Sequence, residues 1–281
     1  MLTLREQRET AQVSSLSQLG SAPPEQAGTS RSTLWRAIKA GRLSAAGAGG
    51  PRLAGRSIFA FALSRAVAGP FKDANAALQR GDYATAFALA RPLADRGIAV
   101  AQFVLGVMYG GGHGVPQDDA EAANWLRRAA DQGRPEARTL LGVMYAKGQG
   151  VSQDDAKAAK WFRAAADQDH AAAQSNLGLM YAQGRGVAQN DAEAAKWFRK
   201  AADKGLVEAH TILGLMYVKG QGVTQNYLLA HMWLNLAAAQ GEAGALADRD
   251  QLARMMTPAQ IAEAQRLAQE RHSASSPPSR Q

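Results

Sequence analysis

The 281-residue chain contains no cysteine, so no disulfide can hold any part of it together. No stretch approaches the roughly 20 consecutive apolar residues that a membrane-spanning helix needs. Two kinds of catalytic apparatus are missing as well. The glycine-rich stretches end in neither Gly-Lys-Ser nor Gly-Lys-Thr, which a phosphate-cradling loop requires, and there is no Ser-x-x-Lys nucleophile motif. The net charge of +8 vanishes when it is divided: residues 1–72 hold ten Lys and Arg against three Glu, leaving 22 against 21 for the remainder. Most of the chain is therefore electrostatically balanced, and only its leader is basic.

What is present is one phrase written four times. LGVMYGGGHGVPQDDAEAANWLRRAADQG begins at Leu105, and close variants begin at Leu141, Leu177 and Leu213. Gly106, Gly142, Gly178 and Gly214 are 36 residues apart, as are Tyr109, Tyr145, Tyr181 and Tyr217, and Trp125, Trp161, Trp197 and Trp233. A fixed period of this size is the signature of stacked units, none of which buries its apolar face alone.

Each unit reads as two helices. Ala137, Leu140, Leu141, Met144 and Tyr145 fall at the three-and-four spacing of a buried helical stripe. Gly142 sits on that stripe although glycine costs roughly 1 kcal/mol mid-helix, which predicts close approach of the partner helix. The connection KGQGV places two glycines where a turning chain needs positive φ. The second helix starts at an Asx residue, and Asp118 with Glu121, like Asn190 with Glu193, has the spacing of a capping box. Gly133, Gly205 and Gly241 close their helices as left-handed caps, and Asp169 stands in that place in the second unit.

This pattern, A-x-x-x-L-G-x-x-Y-x-x-G-x-G-V-x-x-D-x-x-x-A-x-x-W-x-x-x-A-A-x-x-G, resembles the Sel-one-like repeat, a longer-looped relative of the tetratricopeptide repeat. Four copies span residues 98–241, and GDYATAFALARPLADRG fits a partial one within 73–97. The resemblance implies an all-α, right-handed α-solenoid of stacked helix pairs acting as an adaptor for other macromolecules. Some proteins similar to this family carry disulfide-stapled pairs and have been described as β-lactamase-like, but this chain has neither the cysteines nor the nucleophile motif.

The fourth copy is more apolar, with Tyr227, Leu228, Leu229 and Met232 in place of Asp and small or charged residues. A C-terminal cover over residues 242–272 is the expected reason. Within it Thr257, Pro258 and Gln260 mark a fresh helix start, and Ile261, Ala264, Leu267 and Ala268 form an inward stripe. The tail SASSPPSRQ, 273–281, is expected to be disordered.

Residues 1–72 support three expectations. TSRSTLWRAIKAGRLSAA resembles part of an excisionase-type helix-turn-helix, in which Arg31, Ser32, Thr33 and Arg36 would contact DNA; Pro23 and Pro24 stand where its supporting helix should run. Ile58 to Leu63 followed by Ala66, Val67 and Ala68 has the outline of an export signal cleaved near Ala68, with an apolar core only six residues long. A mostly flexible basic arm is the third.

No set of residues offers a nucleophile, base and oxyanion site together. His113, His170, His210 and His231 share no repeat position, so no metal ladder is expected, only surface or cap roles. The Asp118–Asp119 and Asp154–Asp155 pairs recur with the helix start and read as caps. No enzymatic activity, cofactor or metal is expected. If the units stack as tetratricopeptide repeats do, the first helices line an inner curve where Phe103, Glu136, Thr139, Lys147, Ser175, Gln183, Glu208, Thr211 and Lys219 vary while the core columns stay uniform. A protein or peptide partner on that face is the expected function. The alternatives are a DNA-associated regulator using the leader and an exported envelope interaction protein.

Overall fold

The computed structural model describes residues 72–275, and among them the chain forms twelve helices and no strand. α1 (Lys72–Arg80) and α2 (Tyr83–Asp95) make a first pair. Four regular pairs follow: α3 (Ala99–Gly111) with α4 (Asp119–Asp131), α5 (Pro135–Lys147) with α6 (Asp155–Ala166), α7 (Ala171–Gln183) with α8 (Asp191–Asp203), and α9 (Val207–Lys219) with α10 (Tyr227–Ala239). α11 (Ala243–Ala253) and α12 (Pro258–Ser275) end the series. From α1 to α11 each helix packs on the next, and α10 packs on both α11 and α12, so the chain is a solenoid of helix pairs with its last repeat covered. α12 continues to Ser275, into the stretch expected to be disordered; Ala274 and the serines around it are compatible with a helix, and the first helix breaker is Pro277.

The glycine inside each first helix is there because the second helix lies against it. A Cβ on Gly106, Gly142, Gly178 or Gly214 would stand 2.7, 2.7, 3.0 and 2.6 Å from Leu126, Phe162, Phe198 and Leu234 respectively. The first helices end at left-handed Gly112, Gly148, Gly184 and Gly220, with φ between 63° and 70°. The second glycine of each loop has a further reason. A Cβ on Gly150, Gly186 or Gly222 would lie 2.0, 2.1 and 2.1 Å from the carbonyl oxygens of Asp119, Asp155 and Asp191, so each loop seats its backbone on the first turn of the preceding repeat's second helix.

The Asx caps form as the spacing predicts: Asp118, Asp154, Asn190 and Asn226 accept from the backbone N–H three residues on, at 2.9 to 3.0 Å. The capping boxes do not close. The cap N–H groups of Asp118 and Asn190 donate instead to the Tyr109 and Tyr181 carbonyls at 2.9 Å. Those carbonyls belong to the last turn of a first helix, so each bond pairs a helix-start N–H with a helix-end carbonyl. The box does close at α12, where the Thr257 N–H donates to Gln260 Oε1 at 2.9 Å and the Gln260 N–H to Thr257 Oγ1 at 3.3 Å. Asp169 takes φ 61°, the only non-glycine residue with positive φ among the described residues.

Candidate interaction surface

Three sets of contacts, each repeating at 36 residues, join one repeat to the next. In the first, an arginine of one second helix reaches the tyrosine of the following first helix. Arg127 Nη2 donates to the Tyr145 hydroxyl at 2.7 Å, and Arg163 and Arg199 donate in the same way to Tyr181 and Tyr217. Arg91 begins the series at Tyr109, at 3.4 Å. In the second, Gln102, Arg138, Gln174 and His210 all bond the carbonyl eight residues back, those of Ala94, Ala130, Ala166 and Ala202, at 3.0 to 3.2 Å. Each gives a second donor to a carbonyl near the C-terminal end of a second helix, which already accepts from the backbone N–H three residues on. In the third, a loop residue ties to the helix start on which its neighbouring glycine sits: Arg185 forms a two-pronged bond to Asp155 at 2.7 and 3.1 Å, and Gln221 bonds Asp191 at 3.3 Å. These carboxylates are structural ties, not a reactive pair.

The arginine column is missing from the sequence reading. Its signal is present in the phrases WLR, WFR and WFR at residues 125–127, 161–163 and 197–199, but a charge on a helix reads first as a solvated one. The same side chains face tryptophans: Arg91 lies 5.4 Å from the Trp125 ring centre and Arg163 5.6 Å from that of Trp197. Trp125, Trp197 and Trp233 are buried as expected of a core column. Trp161 is only half-buried.

The positions expected to vary along the inner face divide in two. Phe103 and Thr139 are 2 % exposed and Ser175 is 8 % exposed, so these three are core and present no surface. The reason is that the first helices are apolar around most of their circumference and flanked on both sides by second helices. The Arg134 guanidinium covers the Phe103 ring at 5.0 Å, and Thr139 Oγ1 donates to the Pro135 carbonyl at 2.8 Å and lies 2.9 Å from His170 Nδ1. Accessible groups stand mainly at the two ends of these helices. Glu136 and Glu208 are half-buried in the first turn, Lys147, Gln183 and Lys219 are exposed in the last, and Thr211 is half-buried in α9. Desolvation holds the Lys147 ammonium below the usual lysine range.

The expectation of surface or cap roles for the histidines fails at two of them. His210 is 4 % and His231 2 % exposed. Both stand in repeat columns that face neighbouring helices, and a single histidine in such a column carries no periodic signal. His170 does precede α7 as its N-cap residue, and His113 stacks on Tyr83 with ring centres 4.7 Å apart. Among the described residues no cluster of three or more potential metal ligands occurs, and no helix is long and apolar enough to cross a membrane. Arg31, Ser32, Thr33, Arg36 and Ala68, on which the DNA and export readings rest, lie outside the described residues.

A cleft of about 650 Å³ opens where α12 crosses α8 and α10, with Tyr217, Met232 and Trp233 among its walls. Its polar groups are engaged: Arg199 with Tyr217, Glu270 with Arg266 outside the cleft, and Arg271 with Asp203 and over the Trp233 ring at 4.3 Å.

A family model described as Sel1 repeat matches residues 99–133, 135–170, 171–206 and 207–242. The chain belongs to the Sel1 repeat family. The helix pairs, their left-handed glycine ends and the cap positions described above are those of its four Sel1 repeats. No curated protein matches the chain. Among solved structures it is similar to a Sel1 repeat protein from Oxalobacter formigenes, at 29 % identity and a TM-score of 0.63, over 74 % of this chain and 84 % of that one. It is also similar to a protective antigen of uropathogenic Escherichia coli with an SLR fold, at 28 % identity and a TM-score of 0.62. That match takes in 96 % of this chain but only 56 % of the antigen, so the chain spans little more than half of that relative's length. Sel1 repeat proteins generally serve as protein-interaction scaffolds.

Proposed function

We propose that this chain is a non-enzymatic adaptor that holds a protein or peptide partner against the ends of the first helices of its Sel1 repeats. One observation carries the reading: the glycine, arginine and tyrosine columns that pack and tie the repeats are uniform from unit to unit, whereas the accessible residues are not. Glycine, tyrosine and the arginine–tyrosine bond recur at every joint. Glu136, Lys147, Gln183, Glu208, Thr211 and Lys219 occupy two end positions and one mid-helix position with acidic, basic and neutral side chains. Exposed charges contribute little to folding, so these positions are free to be set by a partner.

The test is binding by the full chain of whatever partner it retains in an affinity capture. Lys147→Glu with Lys219→Glu should weaken capture of an acidic partner at least tenfold, while the paired control Lys160→Glu with Lys196→Glu, on exposed positions of second helices, should leave it unchanged. Equal capture by both variants would remove the first helices from the binding face.

A further inference from the structure

Among the buried positions at which the fourth repeat departs from the first three, two carry histidine. Where Gln102, Arg138 and Gln174 stand in the earlier repeats, the fourth has His210; where they have Ala123, Ala159 and Ala195, it has His231. The two imidazoles flank the last repeat: His210 lies where it packs on α8 of the third repeat, and His231 where it packs on α11.

His210 is held in one neutral form. A carbonyl only accepts, so the 3.0 Å contact with the Ala202 oxygen places the proton on Nε2, and Nδ1, 3.3 Å from the Gln240 amide nitrogen, is an acceptor. Its ring stacks on Trp233 of α10 with centres 5.5 Å apart. Asp203 of α8 and Arg271 of α12 are the charged groups near it, and they oppose one another. His231 faces α11, where Arg249 and Asp250 likewise oppose one another. Its Nδ1 is buried with no hydrogen-bond partner. A second proton on His210 would point at a donor, and a proton on His231 Nδ1 would meet no acceptor at all. Burying such a charge costs far more than burying the neutral ring.

We infer that the last repeat is an acid-sensitive hinge: protonation of His210 loosens α9 and α10 from α8, and protonation of His231 loosens them from α11, while the first repeats stay folded. Burial, with Arg271 and Arg249 adding to it, holds both imidazoles below the usual histidine range. The unfolded segment therefore binds more protons, so the stabilisation is complete above a pH of about 6.5 and is lost as pH falls toward the folded values. Because stability in a repeat array is close to a sum of units and nearest-neighbour joints, loss at a terminal joint need not spread.

The experiment compares thermal midpoints of the full chain between pH 7.5 and 5 with those of a His210→Gln, His231→Ala variant, which restores side chains found in earlier repeats. The parent should fall by at least about 3 °C more than the variant across that window; parallel falls would overturn the inference. Hydrogen exchange of the parent at pH 5.5 gives a second readout that needs no variant. Faster exchange confined to α9–α12, with α3–α6 protected, supports the hinge, and uniform loss of protection overturns it.

Discussion

Arg127, in the second helix of one repeat, donates from Nη2 to the hydroxyl of Tyr145 in the first helix of the next, at 2.7 Å. The same pair recurs as Arg163 with Tyr181 and Arg199 with Tyr217, so the bond belongs to the joint and not to any one repeat. Removing only the hydroxyl, Tyr145→Phe, should cost about 0.5–1.5 kcal/mol. Arg127→Ala should cost more, because the guanidinium also lies over the Tyr145 ring. In a double-mutant cycle read by urea denaturation the two changes should couple; additive losses would show that the contact contributes nothing.

The two loop glycines should respond differently to the same change. Both Gly148 and Gly150 have positive φ, which disfavours alanine by roughly 1–2 kcal/mol. Only Gly150 has backbone in the way, with the Asp119 carbonyl oxygen 2.0 Å from the site of a Cβ. Gly150→Ala should therefore lower the denaturation midpoint well beyond Gly148→Ala, and equal effects would contradict the seating of loop on helix.

The tryptophan column should not behave as one. Trp197, 6 % exposed, should lose roughly 3–5 kcal/mol on replacement by alanine. Trp161 is half-buried and should lose clearly less. Thermal unfolding of the two variants decides it.

The difference between what was and was not legible in the sequence follows from periodicity. Gly142 and Tyr145 announce themselves because they recur with a fixed spacing and because glycine inside a helix needs a reason. Gly150 was legible as a turn residue, but its contact with Asp119 crosses a repeat boundary, and a single unit's pattern does not contain it. Arg127 recurs just as regularly, yet charge on a helix surface has an ordinary explanation, so its bond to Tyr145 emerges only from the stacking. His210 and His231 occur once each in their columns, and burial depends on the column rather than the residue type. For the interaction surface, sequence variation identified nine positions, but variation also accommodates local packing, as at Phe103, Thr139 and Ser175.

The central claim is that the ends of the first helices hold the partner, and site-specific photo-crosslinking in the full chain tests it most directly. A photoreactive residue at Lys147, Gln183 or Lys219 should crosslink to the captured partner, and one at Lys160 or Lys196, on the second helices, should not. Crosslinks from the second-helix positions alone would place the partner on the other face and contradict the account.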